Sequence, residues 1–192
     1  ISFLKNIAET LRSGGETDIP DIQAAEDSGT LVFIPVNGSN LQLWATRLNG
    51  LNKPSYVLLD RDTKPPLDPK YKQEAEAYAA EGHTVWITQK MELENYIHTD
   101  ALKQILPSYR GGGDFEDVPR LFAKVQHESV SGCCPWTEVE SNLKKLKDKE
   151  NNAKAKICGE ATKHMSPALL TEVDNGNEVR TWLKTIGAVL SR

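Results

Sequence analysis

The sequence predicts an α/β domain: a parallel β-sheet flanked by helices, with a helical C-terminal extension. Three apolar segments of strand length, at 31–36, 56–59 and 84–88, alternate with segments whose apolar residues have helical spacing. Strands and helices that alternate in this way form right-handed βαβ units, whose strands run parallel. The 192 residues suffice for one sizeable core, so we predict a sheet-bearing core at 1–110 and a helical part at 111–192 packed on it.

The N-terminal segment is predicted to be a helix from the first residue onward. No Ser, Thr, Asp or Asn precedes it as an N-cap, and we therefore expect the natural polypeptide to continue upstream. Two glycines and an acidic stretch over 14–27 then predict a loop. The apolar residues that give the helix its spacing are Ile1, Phe3, Leu4, Ile7, Ala8 and Leu11.

The segment 31–36 (LVFIPV) is a continuous apolar run, which predicts a strand buried on both faces. Residues 37–40 (NGSN) predict a turn that ends in an N-cap, and the helix that follows is expected over 41–48. The remaining predicted elements of this half are a strand at 56–59, a helix at 71–80 and a strand at 84–88.

The C-terminal part is predicted to be helical, and it contains no internal repeat. Thr137 and Glu140 have the spacing of a capping box, which predicts the start of a long lysine-rich helix at this point. The other predicted helices of this part lie near 119–125, 154–164 and 178–190.

Charge and composition exclude some classes of protein. The net charge of −4 argues against a protein that binds nucleic acid through bulk positive charge, although a nuclease can be acidic where carboxylates hold metal ions. No apolar run approaches the roughly 20 residues of a bilayer span, so we predict no membrane partner. The three cysteines, two of them adjacent, show no disulfide framework and predict reduced thiols in a cytoplasmic protein.

Acidic residues follow two neighbouring strands of the predicted sheet. Asp60 and Asp62 come directly after the second strand, and at strand period their carboxylates point the same way, which suits a shared hard cation. Glu92 and Glu94 follow the third strand. A solvated loop or the acidic start of a helix explains either pair alone. Both pairs together, at the carboxyl edge of one parallel sheet, predict a metal site.

The order of the motifs resembles the Toprim domain of the OLD (overcoming lysogenization defect) family of nucleases. The segments that carry the resemblance are IPVNGSN, YVLLDRD and VWITQKMELENYI, and the glutamate-rich motif in the last of them is the most specific. A lysine cluster followed by HMSPALL and EVRTWL extends the resemblance toward the C-terminus. The family's first motif, a strand ending in Glu-Gly, is absent from the sequence and would precede Ile1. The resemblance thus implies a Toprim-like catalytic core at 1–110 that lacks its N-terminal strand.

The resemblance also implies a DNA endonuclease or nickase that uses two Mg²⁺ or Mn²⁺ ions, one to activate water and one to stabilise the leaving oxygen. One of these ions would need the upstream Glu as a ligand. An N-terminal ATPase domain upstream, a homo-oligomer and a role in defence against phage are implied as well. The catalytic and metal-binding carboxylates would be Asp60, Asp62, Glu92 and Glu94.

A lysine usually completes such a site by neutralising the scissile phosphate. The candidates are Lys154 and Lys156 in the stretch AKAK, ahead of Lys90. For each of them, solvation of an exposed lysine is the simpler explanation. A further group is expected to form a helix face that touches a phosphate backbone: Lys144, Lys145, Lys147 and Lys149.

Two other functions fit part of the pattern. In a haloacid-dehalogenase-like phosphatase, Asp60 would be the covalent nucleophile and Asp62 the general acid/base, and Thr88 would imitate the second motif. That function leaves Glu92 and Glu94 without a role. A non-catalytic Toprim-like module for DNA binding or assembly is the other alternative. The four histidines and three cysteines show no zinc-ligand spacing.

Overall fold

The sheet of the protein consists of two parallel strands in the computed structural model, which describes residues 1–36 and 40–190. β1 (Tyr56–Leu59) and β2 (Thr84–Ile87) pair along all four residues. Both strands and their parallel pairing confirm the sequence prediction, with β2 one residue shorter than expected. The protein is therefore mixed α/β, and its sheet is smaller than predicted.

One face of the sheet is covered by two helices. α3 (Leu41–Asn49) and α4 (Lys72–Ala80) begin and end close to the predicted bounds, and Asn40 occupies the N-cap position of α3. Residues 37–39 of the predicted turn lie outside the described part of the chain. α4 connects the two strands, as a parallel βαβ unit requires. A small buried cluster joins the strands to both helices: Leu41, Leu59, Ala75 and Tyr78.

The other face of the sheet packs on the main core. The rings of Tyr56 and Trp86 stack with centroids 5.4 Å apart, and Trp86 lies 6.4 Å from Trp182. Trp182 belongs to α10 (Glu178–Leu190), whose bounds are those predicted. α1 (Ser2–Ser13) buries its apolar face in the same core, as its spacing predicted. The first and last helices of the described chain therefore share one core with the sheet.

The remaining elements are helical and surround this core. Its buried side chains come from elements between α1 and α10, so one core runs across the predicted boundary at residue 110. Among the described helices, none combines the length and the apolar character that a bilayer crossing requires. The remaining helical elements around the core are, in chain order, α2 (Ile22–Asp27), a 3-10 helix (Leu93–Tyr96), α5 (Thr99–Ile105), α6 (Val118–Glu128), α7 (Trp136–Glu140), α8 (Leu143–Gly159), a second 3-10 helix (Ala161–His164) and α9 (Pro167–Val173).

The strand predicted at 31–36 is wrong. These residues form no strand, and Val32 is 70% exposed. The backbone N–H of Leu31 donates to the carbonyl of Ala25 at 3.0 Å, so the segment is tied to α2. Pro35 has no N–H that could pair with a neighbouring strand. The apolar composition indicated burial, which Leu31 partly shows, but a strand also needs the backbone of a partner.

The loop predicted over 14–27 is wrong in its second half, which forms α2. The carboxylate of Asp21 accepts a hydrogen bond from the Ala24 N–H at 2.9 Å and caps this helix. α2 has six residues, too few for helical spacing to stand out in the sequence. The seven-residue helices α5 and α9 were missed for the same reason.

The long lysine-rich helix is confirmed as α8, but its bounds differ from the prediction. Thr137 and Glu140 lie inside the short helix α7 rather than at the start of α8. α8 begins after Asn142, whose Oδ1 accepts a hydrogen bond from the Lys145 N–H at 3.1 Å. The helix predicted over 154–164 is not separate, because its first six residues belong to α8 and the rest mainly to a 3-10 helix.

Candidate functional site

A buried threonine, Thr88, fastens the two strand ends to each other. Its N–H donates to the Leu59 carbonyl at 3.0 Å, and its hydroxyl donates to the Lys90 carbonyl at 2.8 Å. The same hydroxyl accepts a hydrogen bond from the Arg61 N–H at 2.9 Å. These bonds hold the segment after β1 next to the segment after β2. Asp60 lies between Leu59 and Arg61, which are both bonded to Thr88.

The 3-10 helix Leu93–Tyr96 brings two glutamates to the end of β1. The backbone N–H of Leu93, the first residue of this helix, donates to Oδ1 of Asp60 at 3.0 Å. The Glu92 N–H donates to Oδ1 of Asn95 at 3.0 Å, which holds the extended residue that starts this helix. The side chains of Glu92, Glu94 and Asn95 are all buried. The chain after β2 therefore delivers two carboxylates beside that of Asp60.

We expect Asn95→Ala to lower the free energy of unfolding by about 2–3 kcal/mol. The Asn95 Nδ2 donates to the carbonyls of Gly113 at 2.9 Å and Glu116 at 3.0 Å. Alanine removes the Asn95 partner of the Glu116 carbonyl and of the Glu92 N–H, whereas the Gly113 carbonyl keeps its bond from the Glu116 N–H at 3.2 Å. Chemical denaturation measures the loss. The exposed Gln104→Ala is the control, with an expected change of under about 0.5 kcal/mol. Equal losses in both variants would show that Asn95 has no positioning role.

Three carboxylates and one lysine meet beside this 3-10 helix. Glu92 and Glu94 are 6% and 5% exposed, and Asp60 is half-buried. Lys154 of α8 forms an ion pair with the Glu92 carboxylate. One turn further along α8, the Cys158 S–H donates to Oε1 of Glu94 at 3.5 Å. The cluster therefore joins residues from both predicted parts of the chain.

Burial and the repulsion from neighbouring carboxylates raise the pKa values of Asp60 and Glu92. The pKa of Asp60 rises to about 6, first because of burial and then because of the Glu94 carboxylate. The pKa of Glu92 rises to about 7 for the same two reasons, although its bond to Lys154 opposes the rise. Burial lowers the pKa of Lys154, but the attraction of Glu94 and Glu92 outweighs it, so this pKa is raised. The single positive charge of Lys154 is therefore not enough to balance the three carboxylates.

The donor set of this cluster fits a hard divalent cation. Carboxylate oxygens are the ligands that Mg²⁺ and Mn²⁺ prefer, and such an ion would relieve the repulsion that raises the pKa values of Asp60 and Glu92. Within the described ranges, no group of three or more His, Cys, Asp or Glu side chains is arranged to hold an ion as it stands. One Glu92 oxygen is held by Lys154 instead. The residues that could hold a metal ion here are Asp60, Glu92 and Glu94.

Asp62 lies at the rim of the cluster. Its backbone is left-handed, with φ of 56°, and its carboxylate lies 3.6 Å from Nζ of Lys70. It contributes to the raised pKa of Asp60, though less than burial and Glu94 do. The strand alternation that predicted a common direction for Asp60 and Asp62 ends at Leu59, so Asp62 faces Lys70.

The candidate lysines lie in three different places. Lys154 joins the carboxylates, and Lys90 forms an ion pair with Asp114 at 2.7 Å. Lys156 lines a cavity of about 450 Å³ between α6 and α8, together with His127. Two residues of an α-helix correspond to a rotation of about 200°, which is why the side chains of Lys154 and Lys156 diverge.

Two contacts of the site were not predicted from the sequence. Asn95 stands inside the glutamate-rich motif, and Cys158 lies four residues after Lys154, hence on the same helix face. These two spacings are signals that sequence analysis could have used. A further pair has no such signal: the Tyr96 hydroxyl donates to the carboxylate of Glu178, 82 positions away, at the start of α10.

No protein-family model, no curated protein and no solved structure matches the chain. The resemblance to the Toprim domain therefore depends on the motifs in the sequence. The function that the chain performs must be inferred from the chemistry of the carboxylate cluster.

Proposed function

We propose that the chain is the catalytic part of a metal-dependent DNA endonuclease or nickase. The observation that carries the proposal is the crowding of Asp60, Glu92 and Glu94 in one place, with Lys154 as their cationic partner. Burying like charges side by side costs stability, and strongly perturbed acids of this kind are concentrated at functional sites. Carboxylates and a lysine beyond the carboxyl edge of a parallel sheet suit a metal ion and a phosphate.

Each residue of the cluster has a role in the proposed reaction. Lys154 is charged at neutral pH, because its pKa is raised, and it neutralises an oxygen of the scissile phosphate. The first N–H of the 3-10 helix keeps one oxygen of Asp60 oriented. When bound, the metal ions supply an activated water and positive charge for the leaving oxygen. The carboxylate oxygens for Mg²⁺ or Mn²⁺ would come from Asp60, Glu92 and Glu94, while Asp62, the fourth carboxylate that the resemblance implies, lies at the rim beside Lys70.

A phosphatase that uses Asp60 as nucleophile is less well supported. That function needs Thr88 to bind a phosphate, but Thr88 is 1% exposed and its hydroxyl already donates to the Lys90 carbonyl. It also needs Asp62 as the general acid beside Asp60, whereas Asp62 faces Lys70. The proposed phosphodiesterase needs neither residue in these roles, because its carboxylates are those of Asp60, Glu92 and Glu94.

The resemblance to the OLD-family Toprim domain extends the proposal to partners. The substrate is then DNA, and an ATPase domain upstream in the same polypeptide controls the nuclease. A homo-oligomer, a cytoplasmic location and a role in defence against phage belong to the same proposal.

Removal of divalent metal is the test of the proposal. We expect supercoiled plasmid to be nicked with Mg²⁺ or Mn²⁺, to stay intact with EDTA, and to be nicked again once excess metal is added. A phosphate monoester such as p-nitrophenyl phosphate should not be hydrolysed. Cleavage that persists in EDTA, or monoester hydrolysis with a phosphate trapped on Asp60, would contradict it. DNA binding with no nicking under any of these conditions would instead indicate a non-catalytic module.

A further inference from the structure

Four residues of α8 form a single row along one face of the helix. Lys144, Lys147, Asn151 and Lys154 are separated by three, four and three positions, which places them above one another on an α-helix. The first three are exposed, and Lys154 is half-buried. We call these four residues the α8 row.

The α8 row begins at the carboxylate cluster and leads away from it. Lys154, at one end, forms the ion pair with Glu92. Lys147 lies two turns earlier, about 10 Å along the helix axis at 1.5 Å per residue, and Lys144 lies about 5 Å further. The row therefore connects a buried acidic site to solvent through a line of donor groups.

The two outer lysines of the row are Lys144 and Lys147. Among the described residues, neither Lys144 nor Lys147 forms an ion pair, although Asp148 is exposed beside them. Glu150 is half-buried and within electrostatic reach of Arg120 of α6 and of Lys154, at the inner end of the row. The charge of the two outer lysines is therefore available to an anionic ligand.

The lysines on the opposite side of α8 do not lead to the cluster. Lys145 and Lys149 are exposed and separated by four positions, so they share a face with each other. Lys149 lines the cavity between α6 and α8 together with His127 and Lys156. This face offers a comparison within one helix, because it has the same charge but no connection to the carboxylates.

We propose that the α8 row is the surface along which a DNA strand leaves the carboxylate cluster, with Lys147 and Lys144 each neutralising one phosphate. The proposal rests on the nuclease function proposed above. Each phosphate of a strand carries one negative charge, and the roughly 10 Å between Lys154 and Lys147 lets these two lysines contact different phosphates of one strand. The exposed Asn151 amide, between them, can donate to a phosphate or sugar oxygen.

The salt dependence of DNA binding tests this surface. The logarithm of the binding constant falls with the logarithm of salt concentration by about 0.9 for each phosphate neutralised. We therefore expect Lys144→Gln/Lys147→Gln to lower the slope by about 2 and to weaken binding at least tenfold at about 0.1 M salt. The matched control, Lys145→Gln/Lys149→Gln, removes the same charge from the other face and should keep most of the wild-type slope. Binding of a labelled duplex to the full chain is measured by fluorescence anisotropy in EDTA, which prevents metal-dependent cleavage.

The outcomes separate this inference from the proposed function. If wild-type protein nicks plasmid with Mg²⁺ but the two double variants have equal slopes, the row is not the binding surface and the nuclease proposal stands. A larger loss in the control pair would place the DNA on the face toward α6 and overturn the row. If wild-type protein binds DNA with the expected loss at the row but never nicks it, the surface stands and the nuclease proposal fails. An absence of binding by wild-type protein overturns both.

Discussion

Asp60→Asn is expected to abolish Mg²⁺-dependent nicking and, in metal-free protein at pH 8, to raise the free energy of unfolding. Asparagine keeps the oxygen that accepts the hydrogen bond from the first N–H of the 3-10 helix, but it removes a charge that Glu94 repels. A pKa raised from its usual value of 3.8 to about 6 corresponds to about 3 kcal/mol of stability lost on ionisation. The loss of one carboxylate is expected to lower nicking by at least about a hundredfold, because Asp60 would help to hold the ion that supplies the activated water.

The sign of the pH dependence follows from the raised pKa. The loss of folding stability caused by ionised Asp60 is absent below about pH 4. It develops between pH 3.8, the usual pKa, and about pH 6, and it is complete at pH 8. The gain from Asp60→Asn should therefore be found at pH 8 and vanish at pH 4, as urea denaturation in EDTA would measure. Asp68→Asn is the control, because Asp68 is exposed and forms an ion pair with Lys72. A variant that nicks DNA as well as wild type, or that is less stable at pH 8, would contradict the proposed ligand role.

Lys154→Met is expected to lower stability at pH 8 by about 1–3 kcal/mol and to abolish nicking. Removing one partner of a fully buried ion pair costs about 3–5 kcal/mol, and we reduce this figure because the Lys154 side chain is 41% exposed. Methionine retains the apolar stem, so the loss reports the charge rather than the packing. At pH 5 the cost should be smaller, since Glu92, whose pKa is about 7, is then mostly protonated.

Lys156→Met is the matched control for this substitution. Lys156 lies two residues away on another face of the same helix, beside the cavity between α6 and α8. We expect it to change stability little at either pH, and its nicking activity decides which lysine serves the reaction. Loss of nicking in Lys156→Met with normal activity in Lys154→Met would reverse the assignment. Stability is measured by urea denaturation at pH 5 and pH 8.

Local patterns in the sequence determined much of the fold. The apolar runs at 56–59 and 84–88 became the two parallel strands, and helical spacing located α1, α4 and α10. These predictions hold because residues on the buried face of a strand are two positions apart, and those on the buried face of a helix are three or four positions apart. The acidic residues at the strand ends were found for a related reason, since parallel strands end at the same edge.

Contacts between distant segments were decided only by the tertiary structure. The apolar run at 31–36 remained unpaired, because no described strand lies where its backbone could bond. The choice between Lys154 and Lys156 depended on how α8 packs beside the 3-10 helix Leu93–Tyr96. In this packing Lys154 reaches Glu92, and Lys156 lies at the cavity between α6 and α8. A sequence shows which side chains share a helix face, but the charges and backbone groups that this face meets come from residues far away in the chain. Long-range packing therefore decided the membership of the carboxylate cluster, and local periodicity decided the elements that carry it.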